Sequence, residues 1–99
     1  MPEYELTRAA DDDLTDLYTY SYAEFGESQA DAYFESLEEC LTSLAENPRL
    51  GLNVEALRKG YRRFVHQRHS IYYKRIRRSI RIIRILGPGM SSERNLPFS

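Results

Sequence analysis

The spacing of apolar residues changes from a helical period to an alternating one about halfway along the chain. In residues 8–25, and again in residues 28–46, apolar side chains recur at three- and four-residue intervals, which predicts two amphipathic helices. Gly26 lies between the two segments and is the residue type that most readily ends a helix in a left-handed conformation. Because the connection is so short, the first half of the chain is predicted to form an antiparallel helical hairpin.

The residues at the ends of these helices favour capping. Thr7 precedes the first helix, and Ser28 is the predicted N-cap of the second, with Asp31 three residues further on, as in a capping box. Asn47 and Pro48 close the second helix, because a proline disfavours helical conformation in the residue before it. These residues set the predicted helix boundaries.

Alternation of apolar and polar residues in the second half of the chain is typical of β-strands. Residues 61–66, 69–76 and 79–86 are rich in β-branched and aromatic side chains and are joined by short links, which predicts an antiparallel meander. Ile82 and Ile83 interrupt the alternation in the last of these strands. We therefore expect either a β-bulge there or partial cover of both strand faces.

The order of the predicted elements defines an α+β fold. Residues 3–7 form a short N-terminal strand, and residues 49–60 are predicted to be a loop with at most one helical turn at residues 54–57. We expect an α-helical hairpin packed on an antiparallel sheet that the three-stranded C-terminal meander completes. The length suits one domain, residues 1–99, in which residues 87–99 form a C-terminal tail.

Opposite charges are concentrated in the two halves of the chain, although the formal net charge is only −1. Residues 1–56 contain fourteen Asp and Glu against two Arg, whereas residues 57–99 contain twelve Lys and Arg against one Glu. Such an asymmetry indicates an anionic partner for the basic half, or a globule in which the acidic half neutralises the basic one. From the pattern alone, a nucleic acid, an acidic protein segment and a merely solvated surface are equally good explanations.

Few residues suggest chemistry. His66 and His69, the only histidines, could act as general acid or base in RNA cleavage, but a structural or partner-contacting role is the better interpretation because no carboxylate cluster accompanies them. Cys40 is the only cysteine, so an internal disulfide is excluded and burial as a small apolar residue is expected. No nucleophilic triad or phosphate-binding loop is evident. We therefore expect no catalytic residue, metal site or cofactor.

Targeting features are also missing from the sequence. The first residues contain neither the basic nor the apolar region of a secretory signal, and no apolar run reaches the ~18 residues that a membrane-spanning helix needs. We therefore expect a cytoplasmic protein with no membrane partner.

Several motifs resemble the ParE toxins of the RelE/ParE superfamily. The most specific is Leu57-Arg58-x-Gly60-Tyr61-Arg62-x-Phe64, followed by His69-x-Ile71-x-Tyr73 and by Arg84-Ile85-Leu86. The helical segments LTRAADDDLTDLYTY and FGESQADAYFESLEE are also similar to this family, so that the resemblance extends over residues 4–96. One position departs from it, because Gly87 stands where many relatives have a histidine.

The resemblance implies the toxin of a type II toxin–antitoxin system, associated with plasmid maintenance. Toxins similar to ParE inhibit DNA gyrase without performing chemistry themselves, and a ParD-like antitoxin neutralises them in a hetero-oligomer. Direct nucleic-acid binding by the toxin alone is not expected. The related RelE branch cleaves messenger RNA in the ribosome with clustered cations and a C-terminal tyrosine, but no tyrosine follows Tyr73 in this chain. That nuclease activity and a non-toxic role in operon autoregulation are the alternatives.

The same resemblance gives a hypothesis about the binding residues. We expect the basic sheet and the start of the tail to contact the antitoxin or the target, through Arg58, Arg62, Arg63, His69, Tyr72, Arg84 and Met90. The aromatic residues of the helical hairpin are expected to fill the core or border the antitoxin groove, namely Tyr18, Phe25, Tyr33 and Phe34.

Overall fold

The computed structural model describes residues 3–90 and 95–96. Of the predicted tail, residues 91–94 and 97–99 lie outside this part of the chain. The regular elements are, in chain order, β1 (Tyr4–Leu6), α1 (Arg8–Phe25), α2 (Glu27–Glu46), a 3₁₀ turn (Pro48–Leu50), β2 (Leu52–Asn53), β3 (Tyr61–His66), β4 (His69–Arg75) and β5 (Ile80–Leu86). The predicted α+β class and the order of its elements are confirmed.

The strands form one five-stranded sheet in the order β1-β5-β4-β3-β2. Strands β3, β4 and β5 form the predicted antiparallel meander, and the helical hairpin packs on one face of the sheet. The sheet is mixed rather than fully antiparallel, because β1 pairs with β5 in parallel. A three-residue strand so distant in sequence from its partner carries no pattern that specifies its direction.

Two differences from the predicted elements have local causes. Leu52 and Asn53, predicted to lie in a loop, pair with β3 as a two-residue edge strand, too short to show an alternating pattern. Ser28 does not cap α2, which begins at Glu27 with Gly26 as its N-cap residue. Gly26 also ends α1, at φ 90°, so that no residue is left between the helices for a serine cap. Thr7 caps α1 as predicted, because its hydroxyl accepts the Ala10 N–H at 3.0 Å.

Apolar side chains are buried on both faces of the sheet. The main core lies between the helices and the inner face, and its fully buried residues include Leu37, Leu41, Leu44, Ile71, Tyr73, Ile80 and Ile82. A smaller cluster lies on the outer face, the one that the helices leave uncovered, and consists of Tyr61, Tyr72, Ile83, Leu86 and Leu96 with Val54 and Leu57 against it. The outer face therefore has an apolar floor of its own.

A β-bulge in β5 explains the interrupted alternation. Tyr72 pairs with Arg84 and Tyr73 pairs with Ile82, which leaves Ile83 as the extra residue. Ile82 consequently joins the inner core while Ile83 joins the outer cluster. Both expectations for this pair, a bulge and cover on both faces, are confirmed.

The Tyr73 hydroxyl fixes the segment that leads from α2 into the sheet. It donates to the Pro48 carbonyl at 2.7 Å and accepts the Gly51 N–H at 2.8 Å. A Cβ atom at Gly51 would overlap this hydroxyl and lie 3.0 Å from the Arg63 carbonyl oxygen. The close approach of backbone and phenol therefore requires glycine at this position.

Candidate functional site

An open groove crosses the outer face of the sheet, with a volume of about 770 Å³. We call it the outer groove. Its lining combines an apolar floor, which includes Leu57, Tyr61 and Ile83, with the start of α1 and the loop before β3. Among the described residues, five cationic side chains line it, namely Arg58, Lys59, Lys74, Arg81 and Arg84. A groove of this composition suits an anionic ligand that also presents apolar groups.

The strand geometry explains why these cations converge. Side chains two residues apart point to the same face of a strand, so that Tyr72 and Lys74 of β4 share the outer face. Lys74 pairs with Arg81 of β5 and, on its other side, with Tyr61 of β3. The bulge adds Ile83 and Arg84 to the same face. The predicted site omitted Lys74 and Arg81, although the alternating pattern of β4 and β5 indicates that both side chains point to the outer face.

Arg84 lies in the groove wall but is engaged within the molecule. Its Nε and Nη2 atoms donate to the two carboxylate oxygens of Asp13 at 2.7 and 2.8 Å, and its Nη1 donates to the Asn95 carbonyl at 2.8 Å. The Asp13 carboxylate also accepts the Ile85 N–H at 2.9 Å. This bidentate pair raises the pKa of Arg84 above its ordinary value and ties α1, β5 and residue 95 together.

The other cations of the outer groove are less well compensated. Lys74 and Arg81 stand directly opposite each other, an arrangement that is unfavourable for like charges. Glu5 accepts a hydrogen bond from Arg81 at 3.2 Å, and both side chains are about half exposed, so water screens this pair. Glu55 also lines the groove, and its carboxylate accepts the Gly60 N–H at 3.1 Å. The groove therefore keeps an excess of positive charge.

The structure divides the predicted binding residues between the two faces. Arg58 and Arg84 line the outer groove. Tyr72 is buried in the outer cluster at 6% exposure. Arg63 donates from Nε and Nη2 to the Ser70 hydroxyl at 3.2 and 3.0 Å, also on the outer face. These four residues thus belong to one surface.

Two of the other predicted residues, Arg62 and His69, do not join that surface. Arg62 points to the inner face, where its Nη1 donates to the Gly51 carbonyl at 2.7 Å, because consecutive strand residues alternate in direction. His69 is also on the inner side, with its Nδ1 2.8 Å from the Tyr33 hydroxyl. Met90 is 45% exposed, and its sulfur accepts the Gly87 N–H at 3.2 Å. A single contact surface containing both Arg62 and Arg63 is therefore not what the fold provides.

The two histidines form a pair on the helix-covered face. His66 and His69 are directly opposite each other across β3 and β4, so they share a face, which the sequence left open. The Ser36 hydroxyl lies 2.9 Å from His66 Nε2, and the Tyr33 ring centroid is 5.7 Å from each imidazole. Burial lowers the pKa of both histidines. At neutral pH both rings are neutral and hydrogen-bonded to α2.

A second groove, of about 530 Å³, lies on the helical side beside β1. Its apolar lining is Tyr4, Leu6, Leu14, Tyr18 and Phe34. The Tyr18 hydroxyl donates to Asp31 at 2.6 Å, and this bond raises the pKa of Tyr18 to about 12. Two of the four predicted hairpin aromatics thus border a groove, while Tyr33 contacts the histidine pair and Phe25 is 61% exposed.

Residues 3–90 and 95–96 contain no group of three His, Cys, Asp or Glu placed to hold a metal ion. Within the same residues, no helix is both long and apolar enough to span a membrane.

Comparisons with known proteins agree with this fold and with the motifs of the sequence. A family model described as the ParE toxin of the type II toxin–antitoxin system parDE matches residues 4–90. Toxin ParE1 of Caulobacter vibrioides is 38% identical over 96 residues, which is 97% of this chain and 99% of the relative. Toxin ParE1 of Mycobacterium tuberculosis is 31% identical over 94 residues, 94% of this chain and 96% of the relative.

A solved structure supports the fold. It is described as a chromosomal ParDE TA system from P. aeruginosa, and superposes with a TM-score of 0.73 at 22% identity over 88% of this chain and 96% of the other. The match of the family model to most of the chain and the full-length similarity to two ParE1 toxins agree with each other. The chain therefore belongs to the ParE toxin family of type II toxin–antitoxin systems.

Proposed function

We propose that this toxin acts in the cytoplasm by inhibiting DNA gyrase, without catalysing a reaction, and that a ParD-like antitoxin neutralises it by placing an acidic segment in the outer groove. Such a pair would serve plasmid maintenance. The observation that carries the proposal is the outer groove itself, in which cations surround a floor of buried apolar side chains. No metal or cofactor takes part in it.

The composition of the outer groove matches one kind of antitoxin segment. An extended or helical peptide that folds on binding needs apolar anchors for affinity and charges for orientation. Tyr61 and Ile83 provide the apolar floor. Lys59 and Lys74 lie beside this floor, and neither makes a side-chain ion pair with any residue that the structure describes. Acidic side chains flanking an apolar residue would complement this arrangement.

The positions of the histidines favour a binding function over phosphodiester cleavage. A nuclease needs an acid–base group within reach of the phosphate that its cations hold. His66 and His69 are hydrogen-bonded to α2 on the inner face, with the sheet between them and the cations of the outer groove. This separation supports gyrase inhibition, the activity implied by the ParE resemblance, over a RelE-type nuclease.

Gyrase supercoiling and DNA cleavage assays with the purified toxin, with and without a cognate antitoxin, test the target. A parallel assay measures cleavage of ribosome-bound messenger RNA. Loss of supercoiling with accumulation of cleaved DNA, reversed by the antitoxin, is the expected result. Cut messenger with unaffected gyrase would establish the nuclease alternative, and antitoxin binding with neither activity would establish the autoregulatory one.

A charge-reversal pair tests the location of the antitoxin. The K59E/K74E variant is expected to bind the antitoxin about tenfold or more weakly, with much of the loss in the association rate at low salt. The R49E/R68E variant makes the same change in net charge away from the groove and serves as the control. If the two variants bound the antitoxin with equal affinity, the antitoxin would not bind in the outer groove. It would still be the toxin's partner.

A further inference from the structure

The turn between β4 and β5 carries a cluster of exposed arginines beside the outer groove. Arg75, Arg77 and Arg78 are all exposed, and the turn is closed by a 3.0 Å hydrogen bond from the Ile76 N–H to the Ser79 carbonyl. We call residues 75–78 the basic turn. None of its three guanidinium groups makes an ion pair or side-chain hydrogen bond with a residue that the structure describes.

The basic turn continues a region in which positive charges already face each other. The strand residues that lead into it place Lys74 opposite Arg81, and among the described residues the one ion pair that these two cations make is the screened pair of Arg81 with Glu5. Five cations lie within residues 74–81, and four of them, Lys74, Arg77, Arg78 and Arg81, are in the turn or on the outer side of its strands, while Arg75, opposite Ile80 of the main core, is on the inner side. Such a concentration of like charge is electrostatically unfavourable in the isolated protein. A polyanionic partner would convert this repulsion into attraction.

The chemistry of the basic turn favours phosphates over an acidic peptide. Peptide-binding surfaces combine charges with pockets for apolar side chains. The exposed side chains of the turn are all arginines, and its one apolar residue, Ile76, is half-buried. Phosphate backbones are held by Arg and Lys without apolar contacts, because the contact carries no sequence information.

The neighbouring tyrosines distinguish a double strand from a single strand. Proteins that hold single-stranded nucleic acid stack its bases on accessible aromatic rings beside the cations. Tyr61 and Tyr72, the tyrosines of the outer face, are only 5% and 6% exposed, so their rings are covered by their neighbours. We propose that the basic turn binds the phosphate backbone of double-stranded DNA without reading its sequence.

This contact goes beyond the proposed function, since it requires neither antitoxin nor gyrase. It also differs from the expectation from the sequence, in which the toxin alone has no nucleic-acid partner. The affinity is low and falls steeply with salt, because the formal net charge is −1 and the acids are concentrated on the helices that cover the other face.

Fluorescence anisotropy with a labelled 20-base-pair duplex at low ionic strength tests the proposal on the full chain. The R77E/R78E variant is expected to bind at least tenfold more weakly than the R49E/R68E variant, which has the same net charge. The uncharged variant R77Q/R78Q is expected to reduce the slope of log affinity against log salt by about 2, for two lost phosphate contacts. Circular dichroism and thermal unfolding confirm that each variant is folded.

Four results would overturn the proposal. The first is that the wild type does not bind the duplex at low salt, and the second is that the two charge-reversal variants weaken duplex binding equally. The third is that a single strand binds more tightly than the duplex. The fourth is that poly-glutamate binds as tightly as the duplex and that its binding depends on Arg77 and Arg78. The last would assign the basic turn to an acidic protein instead. Gyrase and antitoxin are absent from the assay, so its outcome and that of the gyrase assay are independent.

Discussion

Removing the Tyr73 hydroxyl, in the Y73F variant, should destabilise the protein, because this one oxygen holds two backbone groups. The ring is fully buried, and the hydroxyl accepts the Gly51 N–H at 2.8 Å and donates to the Pro48 carbonyl at 2.7 Å. Phenylalanine would leave both backbone groups without these partners. Because Gly51 is buried, its N–H cannot turn to water instead.

The magnitude follows from the cost of unpaired polar groups. A buried group that loses its only partner costs about 1–3 kcal/mol. The Gly51 N–H should incur most of that cost, while the carbonyl of half-buried Pro48 can be partly rehydrated. We expect a loss of about 2–3 kcal/mol in the free energy of unfolding, which lowers the melting temperature of a domain of this size by roughly 10–20 °C.

Urea and thermal unfolding followed by circular dichroism measure this loss, and Y72F is the matched control. Tyr72 is the adjacent strand residue and is also buried, at 6% exposure, but no hydrogen bond of its hydroxyl is present among the described residues. The control is expected to stay within about 0.5 kcal/mol of the wild type. If Y73F and Y72F unfolded at the same urea concentration, the hydroxyl would not be what holds residues 48–51 on the sheet.

Three further predictions concern the ion pair, the histidines and the departure at Gly87. D13N should destabilise by about 2–4 kcal/mol, because it leaves the largely buried Arg84 guanidinium without its counter-charge, whereas D16N, at an exposed position of α1, should have little effect in the same urea titration. Burial lowers the pKa of His69 in the folded state from its ordinary 6.5, so the unfolded chain binds protons more readily and the free energy of unfolding falls as the pH drops below about 6.5. H69Q should therefore flatten the curve of unfolding free energy against pH. A curve unchanged from the wild type would contradict the burial argument. G87H should fold with a stability within about 1 kcal/mol of the wild type, because a Cβ there would meet His69 Nε2 at an ordinary 3.6 Å. A large loss of stability would show that this position cannot accept the histidine that the family resemblance implies.

The fold was predictable because its elements are specified locally. The apolar stripe of each helix, the cap at Thr7 and the interruption at Ile82 and Ile83 are patterns within one segment, and each has its expected counterpart in the structure. The direction of β1 and the existence of β2 depend instead on pairing with distant strands. Neither strand is long enough to record that pairing in its own sequence.

The candidate site was predictable only in part, for a similar reason. The concentration of cations was visible, but the choice among them depends on strand direction, which separates Arg62 from Arg63. The pairing of Arg84 with Asp13 joins residues 71 positions apart. The sequence alone does not distinguish an arginine that is paired within the molecule from one that is available to bind a partner.

Because of the bulge at Ile83, evolution can change the side chains on the outer face of β5 without moving those on its inner face. The residues on either side of Ile83 are already in register with β4. Removing Ile83 would therefore leave Arg81, Arg84 and Leu86 on the outer face and Ile82 and Ile85 in the main core. A deletion at this point therefore alters the floor of the outer groove while the inner side chains keep their places. Related toxins could acquire new partner preferences through a single-residue length change, without rebuilding the core that keeps them folded.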